Sequence, residues 1–495
     1  MTTTASTPID TDFEIVIGLE VHSQLLTKSK MFCSCSTGYA NEAPNTHVCP
    51  VCMGMPGVLP VINEEAVSYT IMTALALHCS IPEYSKFDRK SYNYPDLMKG
   101  YQISQYDIPL SHDGYLTIEV NGQSRRIGVT RVHLEEDTAK LQHREGYSLI
   151  DVNRSGTPLM EIVSEPDMRS PEEARLYMQK LREILVYLGV SSGRMEEGSL
   201  RCDANVSVRP RGQERLGTKT EIKNMNSFRA VERALDYEAR RQIAVLREGG
   251  RIRQETRGWD EARGITLTQR VKEHANDYRY FPEPDLPPLI ISRERVESIR
   301  AGLAELPDAR RARYAKDYGL SEQEANVMTE DKALGDYFEQ VLSVSKVKDQ
   351  KARAKAASNW LLSEVVRLLN AKSIVVQESP LSPEALANLL DLLEGERITG
   401  KQAKEVLDEA FVSGELPEKV VERKGFKPPI TDTSALEAII DEIIAKNQKV
   451  VNDYLGGKTN AMQALVGQVM KQTRGQAKAN MVQPLLKAKL DSLQP

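Results

Sequence analysis

The chain has 495 residues, with 65 Lys and Arg against 70 Asp and Glu, a net charge of −5 and 40% hydrophobic residues. That balance fits a soluble globular protein of two or three domains and excludes a uniformly basic nucleic-acid binder. No apolar run approaches the ~18 residues of a membrane span, and residues 1–12 hold no apolar signal core, so neither a membrane segment nor an export signal is expected.

Residues 13–22 read Phe-Glu-Ile-Val-Ile-Gly-Leu-Glu-Val-His, an apolar and β-branched strand pattern. Side chains alternate along a strand, so Glu20 and His22 share a face. A carboxylate and an imidazole leaving a buried strand together are costly unless a cation compensates them.

Residues 31–57 carry Cys33-x-Cys35, thirteen residues, then Cys49-Pro-Val-Cys52. This pattern resembles a zinc knuckle, with four thiolates closing a tetrahedral structural site. Unligated thiols are the plainer reading, and His47 is a possible substitute ligand. Cys79 and Cys202 stand apart and read as buried thiols. Clustered cysteines without a disulfide framework fit a cytosolic protein.

Residues 64–78 have the spacing of an amphipathic helix. The stretch from Phe87 to Gln105 mixes Tyr92, Tyr94 and Tyr101 with Lys90, Lys99 and Gln102. It offers stacking faces and cations to a nucleotide or a tRNA end, or else is a packed loop held by tyrosine hydroxyls. Asn121-Gly122 between alternating segments predicts a hairpin. It leads to Arg131-Val-His-Leu-Glu-Glu-Asp137, with His133, Glu135 and Asp137 on one face if extended. Carboxylates with one or two imidazoles suit Mg²⁺ or Mn²⁺; a solvated acidic turn is the alternative. Which of Glu135 and Glu136 would reach an ion depends on local twist, so both are kept.

Residues 148–163 alternate again and turn through Arg154 to Pro158. Ser170-Pro171-Glu172-Glu173 opens a helix to about Leu188. In the strand from Ser199, Arg201, Asp203, Asn205 and Ser207 share a polar face, and Lys219, Glu221 and Lys223 share another. Polar faces on successive strands predict a large open cleft. A long Arg-rich helix follows over 228–248, then charged residues 251–280. Prolines between Pro282 and Pro288 mark a boundary near 290, and beyond it the pattern is helical. Helices are expected over 434–451, 461–470 and 476–490, broken after Gly457 and Gly475. Gly456-Gly457-Lys458-Thr459 lacks the first glycine of a phosphate-binding loop.

Charge is uneven. Arg201 to Arg257 holds 14 basic and 8 acidic residues, or +6, and Arg423 to the end holds 11 and 6, or +5. Two basic regions on an otherwise acidic chain fit a ligand touched at two places, or ordinary helix surfaces.

Several strings occur together: Gly18-Leu-Glu-Val-His22, Tyr92-Asn-Tyr-Pro-Asp-Leu97, Lys99-Gly-Tyr-Gln-Ile-Ser104, His133-Leu-Glu-Glu-Asp137, Asp151-Val-Asn-Arg-Ser-Gly-Thr-Pro-Leu159, Leu200-Arg-Cys-Asp-Ala-Asn-Val-Ser207 and Glu221-Ile-Lys-Asn-Met-Asn-Ser227. They closely resemble the B subunits of the bacterial aspartyl/glutamyl-tRNA amidotransferases over essentially the whole chain. Met98 stands where that family is expected to have proline. Some members lack the four cysteines, so zinc here would be structural.

The resemblance implies an α+β fold. A cradle domain over 1–292, with the cysteine insertion at 31–57, rests on a large mixed or antiparallel sheet with flanking helices. An all-helical domain over 293–427 and a small helical tRNA-binding tail over 428–495 follow. It implies ATP-dependent phosphorylation of the side-chain carboxylate of Glu on tRNA(Gln) or Asp on tRNA(Asn), then amidation by ammonia. No amidase signature occurs, so ammonia must come from a glutaminase (amidase) partner, the A subunit, alongside a small C subunit. Glu20, His22, Glu135, Glu136, Asp137, Arg201 and Asp203 are the catalytic candidates. Glu20, His22, Glu135 and Glu136 are the magnesium candidates. Lys90, Tyr92, Lys99, Arg154, Lys219 and Lys223 are the candidates for binding ATP. The competing reading is a zinc-containing tRNA-binding scaffold without ATP chemistry.

Overall fold

The computed structural model describes residues 12–271 and 278–493, apart from 427, 429, 431, 432, 457, 459, 474, 475 and 478. The expected breaks at Gly457 and Gly475 therefore lie outside the described residues, as do Thr459 and the first eleven residues. The chain divides into two compact units, with the boundary between Leu306 and Pro307.

In the first unit the strands are β1 (Phe13–Gln24), β2 (Tyr84–Ser85), β3 (Asp88–Ser91), β4 (Tyr101–Ser104), β5 (Ser111–Val120), β6 (Gln123–Glu136), β7 (Lys140–Arg144) and β8 (Tyr147–Asp151). After a 3-10 turn at Val152–Arg154 come β9 (Pro158–Ser164), β10 (Leu200–Pro210), β11 (Thr220–Met225), β12 (Glu255–Asp260), β13 (Ile265–Val271), β14 (Phe281–Pro282) and β15 (Leu289–Ile290). Eight of them form one sheet in the order β13-β12-β11-β10-β1-β9-β6-β5. Every neighbouring pair in it is antiparallel except β11 and β12. The fold is thus α+β around a large mixed sheet, as expected.

Alternation assigns each face of this sheet. Ile15, Ile17, Leu19 and Val21 of β1, Met160 and Ile162 of β9, and Cys202, Ala204 and Val206 of β10 join one core. The helices α1 (Glu64–Ala76), α2 (Pro171–Tyr187) and α3 (Phe228–Arg247) pack into it through residues such as Ile71, Leu181 and Leu235. Ser170 and Ser227 cap α2 and α3 by accepting from the Glu173 and Ala230 N–H groups. Residues of the other parity, Glu20, His22, Glu161, Arg201 and Asp203 among them, lie on the opposite face. The β5–β6 hairpin turns at Asn121 and Gly122, whose φ angles are +51° and +74°, the left-handed conformations of a two-residue loop.

Residues 251–280, legible in sequence only as a charged stretch, include two strands of the main sheet. β13 lies at its edge. Arg257 ties β12 to β13 through Thr266 Oγ1 at 2.9 Å and Thr268 Oγ1 at 2.8 Å. The first unit also runs past residue 292, because Val296 of α4 (Arg293–Ala301) is buried in the same core. The second unit is helical and holds two separate apolar cores, one including Phe338, Leu386 and Leu407, the other Leu436, Ile440, Leu465 and Leu486. No helix among the described residues is long and apolar enough to cross a membrane.

Candidate active site

The centre of the polar face is set by register. His22 pairs with Arg201 on one side and Glu161 on the other, and Glu161 pairs in turn with His133. His22 Nε2 lies 3.5 Å from both Glu135 Oε1 and Glu161 Oε2, and His133 Nε2 lies 3.4 Å from Glu161 Oε2. His22, Glu135 and Glu161 each turn a ligand atom into a space where all three lie within 4.8 Å of one another.

Burial resists charge at this cluster, and neighbours decide the outcome. It works against the imidazolium of His22, yet the hydrogen bond and charge of Glu161, with Glu135 and Asp203, raise that pKa to about 9. It also works against the carboxylate of Glu161, but the hydrogen bond and charge of His22 and the charge of Lys90 hold that carboxyl well below its usual range. Glu135 goes the other way: burial and the charge of Glu161 raise it. Burial and the nearby cations Arg131 and Lys90 push His133 down to about 4, so it stays neutral. Two carboxylates and an imidazole are a donor set for Mg²⁺ or Mn²⁺, and a divalent cation would relieve the repulsion between Glu135 and Glu161.

Sequence reasoning does not single out Glu161. Its one signal is a carboxylate at the polar parity of the apolar run Pro158–Ser164, and only the fold puts it in register with His22. Two expected ion ligands stand outside the cluster. Glu20 accepts from Asn205 Nδ2 at 2.9 Å and sits beside Asp203. Glu136 follows Glu135 and so faces the other way; it pairs with Lys99 and accepts from Ile103 N at 3.0 Å. Asp137 lies past the end of β6, where Arg201 Nη2 reaches it at 2.9 Å and Gln24 Nε2 at 2.8 Å. Arg154 borders the same corner, with Nε 3.7 Å from Asp137 Oδ1 and a hydrogen bond to Thr138 O at 2.8 Å.

Lys223 pairs with Asp203 and lies 3.6 Å from Glu221. Exposed Lys219 stands with Glu20, Asn205 and Ser207 on a cleft of about 310 Å³ whose other walls include Leu19, Val163 and Leu216. Near Glu135 and Glu161 is Lys90, which burial opposes but whose charge those two carboxylates and Tyr280 support. Its Nζ lies 5.1 Å from the Tyr278 ring centroid. Tyr92 packs edge-on to Tyr278 at 5.7 Å, and Tyr280 stacks on Tyr106 at 4.2 Å. Tyr278 and Tyr280 lie in the tyrosine- and proline-rich stretch that in sequence marks only a boundary.

The four cysteines converge: Sγ atoms of Cys33, Cys35, Cys49 and Cys52 lie within 4.8 Å of one another, a cluster that could hold a metal ion. Cys52 Sγ accepts from Cys49 N at 3.2 Å. Hydrogen bonding from Cys33 and the nearby Lys30 charge bring the Cys52 thiol down to about 4 against burial, while burial and its neighbours raise Cys35 to about 11. His47 is outside the cluster, with Nδ1 3.3 Å from Ser36 O.

The first unit matches the family model described as the GatB/GatE catalytic domain over residues 15–297, and the second matches the GatB domain over 336–490. The chain is 56% identical over 487 residues to the B subunit of the aspartyl/glutamyl-tRNA(Asn/Gln) amidotransferase of Carboxydothermus hydrogenoformans, covering 97% of this chain and 100% of the relative. It is 56% identical over 483 residues to that subunit of Moorella thermoacetica, with 97% and 100% covered, and 53% identical over 490 residues to that of a Dehalococcoides mccartyi strain, with 97% and 99% covered. Matches of this extent in both units show that the chain belongs to the family of aspartyl/glutamyl-tRNA(Asn/Gln) amidotransferase B subunits.

Proposed function

We propose that this chain activates the side-chain carboxylate of a misacylated tRNA with ATP and presents the product to ammonia. The substrate is Glu on tRNA(Gln), Asp on tRNA(Asn), or both. As a B subunit it serves a tRNA-dependent amidotransferase, an amide-forming ligase. Its γ-phosphoryl acceptor is the substrate carboxylate, which is a poor electrophile as an anion. Phosphorylation gives an acyl phosphate and ADP, and ammonia then displaces phosphate to leave the amide. The ammonia comes from a glutaminase partner, the A subunit, with the small C subunit completing the assembly.

The observation that carries this reading is the convergence of His22, Glu135 and Glu161 on the polar face of the main sheet. Phosphoryl transfer depends on positioning and on cations near the transferring group. These three side chains would hold Mg²⁺, which would supply charge neutralisation near the phosphates. Glu20 and Asp203 border that centre. Lys90 and Arg201 lie near it, Lys223 beside Asp203 and Arg154 beside Asp137 add positive charge suited to phosphate oxygens, and Lys99 stays bound to Glu136. The cleft beside Glu20 is large enough for a nucleoside, with Lys219 at its mouth. Tyr92, Tyr278 and Tyr280 gather near Lys90, where they would limit the access of water to an acyl phosphate. Zn²⁺ on the four cysteines is structural, as four thiolate ligands leave no open position. The tail over 428–495 binds the body of the tRNA, and the protein works in the cytoplasm.

Glu161→Gln tests the reading in the assembled complex. It keeps shape but removes the carboxylate charge that faces the His22 imidazolium. ATP-dependent amidation is expected to fall about 100-fold or more, while tRNA affinity stays within about twofold because phosphate contacts elsewhere are intact. Full amidation by Glu161→Gln at limiting Mg²⁺ would remove the proposed site.

A further inference from the structure

Lys30 is 1% exposed, an unusual place for an ammonium. Its Nζ donates to His47 O at 2.8 Å, lies 3.4 Å from Val152 O and 3.7 Å from Cys52 Sγ. Those three acceptors belong to the segment before the second cysteine pair, the 3-10 turn that ends in Arg154, and the cysteine cluster itself. The turn is tied to the loop elsewhere too. Asn45 Oδ1 accepts from Val152 N at 2.8 Å, and Asn153 Oδ1 accepts from His47 N at 2.8 Å. The residue after Lys30, Met31, donates its N–H to Gly156 O at 2.7 Å, and Gly156 N donates to Asp137 O at 2.9 Å. Asp137 is the residue that Arg201 and Arg154 approach. On the other side of the loop, a Cβ at Gly54 would lie 2.8 Å from Lys99 Cγ, so the loop backbone also rests on the lysine that pairs with Glu136.

We propose that Lys30 is a positioning residue whose ammonium ties the four-thiolate cluster to the Val152–Arg154 turn and so holds Arg154 at Asp137. This rests on reading the cysteines as a metal site and the Asp137 corner as part of the active site. Four thiolates around a divalent ion carry a net charge of about −2, which is costly to bury unless a nearby cation or N–H donor offsets it. Lys30 provides both and spends its remaining hydrogen bonds on backbone carbonyls of the loop and the turn. The metal loop is therefore a clamp on the active-site corner as well as a local fold.

Lys30→Met, of similar length and without charge, tests the clamp in the full chain. Wild type and variant should each carry about one zinc. The variant should release it to a chromophoric chelator about tenfold faster or more, the usual scale for a lost outer partner. Amide hydrogen exchange between Asp151 and Thr157 should also accelerate about tenfold, with β1 and β10 unchanged. Asn45→Gly cuts the second tie while suiting the positive φ of that position, and it should loosen the same amides at the wild-type rate of zinc release. Release and exchange within about twofold of wild type in Lys30→Met would overturn the proposal. If Lys30→Met does not fold, zinc-stripped wild type decides: faster exchange across the turn supports the clamp, and unchanged exchange overturns it. Wild-type protein purified reduced and without zinc would instead sink the metal reading, leaving exchange in Lys30→Met to judge the tie to the turn.

Discussion

His22 sets how the carboxylate cluster answers pH. Held near 9 by Glu161 and Glu135 against burial, it is an imidazolium at neutral pH. Ion binding needs the Nε2 lone pair, so each ion bound displaces one proton. Apparent Mn²⁺ affinity of the free protein should therefore rise by up to about tenfold per pH unit from pH 6.5 toward 8.5 and level off above the His22 pKa. Calorimetric titrations at three pH values check this, and an affinity flat across that range would contradict ligation by His22. Residues at this scale are only partly legible in the sequence. Parity along one strand puts Glu20 and His22 on the same face, but which strands lie beside β1 is a matter of topology, and only that brings Glu161 to His22. The same limit applies to Glu136: its neighbour Glu135 enters the cluster, while the pleat sends Glu136 to Lys99.

Among the elements, α3 shows how one buried charge locks a helix to the sheet edge. Glu238 is fully buried and accepts from Arg241 Nη2 at 2.6 Å, Gln242 Nε2 at 3.0 Å and Thr266 Oγ1 at 2.8 Å. Burial opposes its charge, but these bonds and Arg241 lower its pKa below the ordinary value of 4.5. A carboxyl lowered on folding stabilises the protein above its unfolded pKa and loses that contribution as pH falls through its folded one. Glu238→Gln should thus cost about 1–3 kcal/mol at pH 7, and the gap from wild type should narrow below pH 4.5. Denaturant melts at the two pH values measure it; a gap independent of pH would show that the charge of Glu238 does not matter. Strong local signals, namely the Ser170 start and Asn-Gly, make α2 and the β5–β6 hairpin readable, and α3 is readable as a long Arg-rich helix. β12 and β13 are not, because they are short strands set among charged residues that a sequence pattern assigns to loops. The helix expected over 434–451 stops at Lys446, where Asn447 Nδ2 bonds back to Ile443 O at 2.8 Å and a new helix starts at Gln448.

At the scale of the whole molecule, the sequence is most informative where composition changes. The mixed sheet followed by helices is legible because strand alternation gives way to helical periodicity after the proline cluster. The tail has its own core of Leu436, Ile440, Leu465, Val469 and Leu486, so its removal need not disturb the first unit. Removing residues 430–495 should weaken tRNA binding and lower the slope of log affinity against log salt by about one for each phosphate the tail would have neutralised. ATP binding without tRNA should be unchanged. Filter binding across a salt series checks this, and an unaltered slope would assign the tail's charge to solvent.

The most direct test of the central claim is product analysis of the assembled complex with misacylated tRNA, an ammonia source and ATP labelled at the γ-phosphate or in the adenosine. Phosphorylation of the substrate carboxylate predicts ADP and inorganic phosphate in step with amidated aminoacyl-tRNA, all three lost in Glu161→Gln. AMP and pyrophosphate, or amidation without ATP turnover, would contradict it.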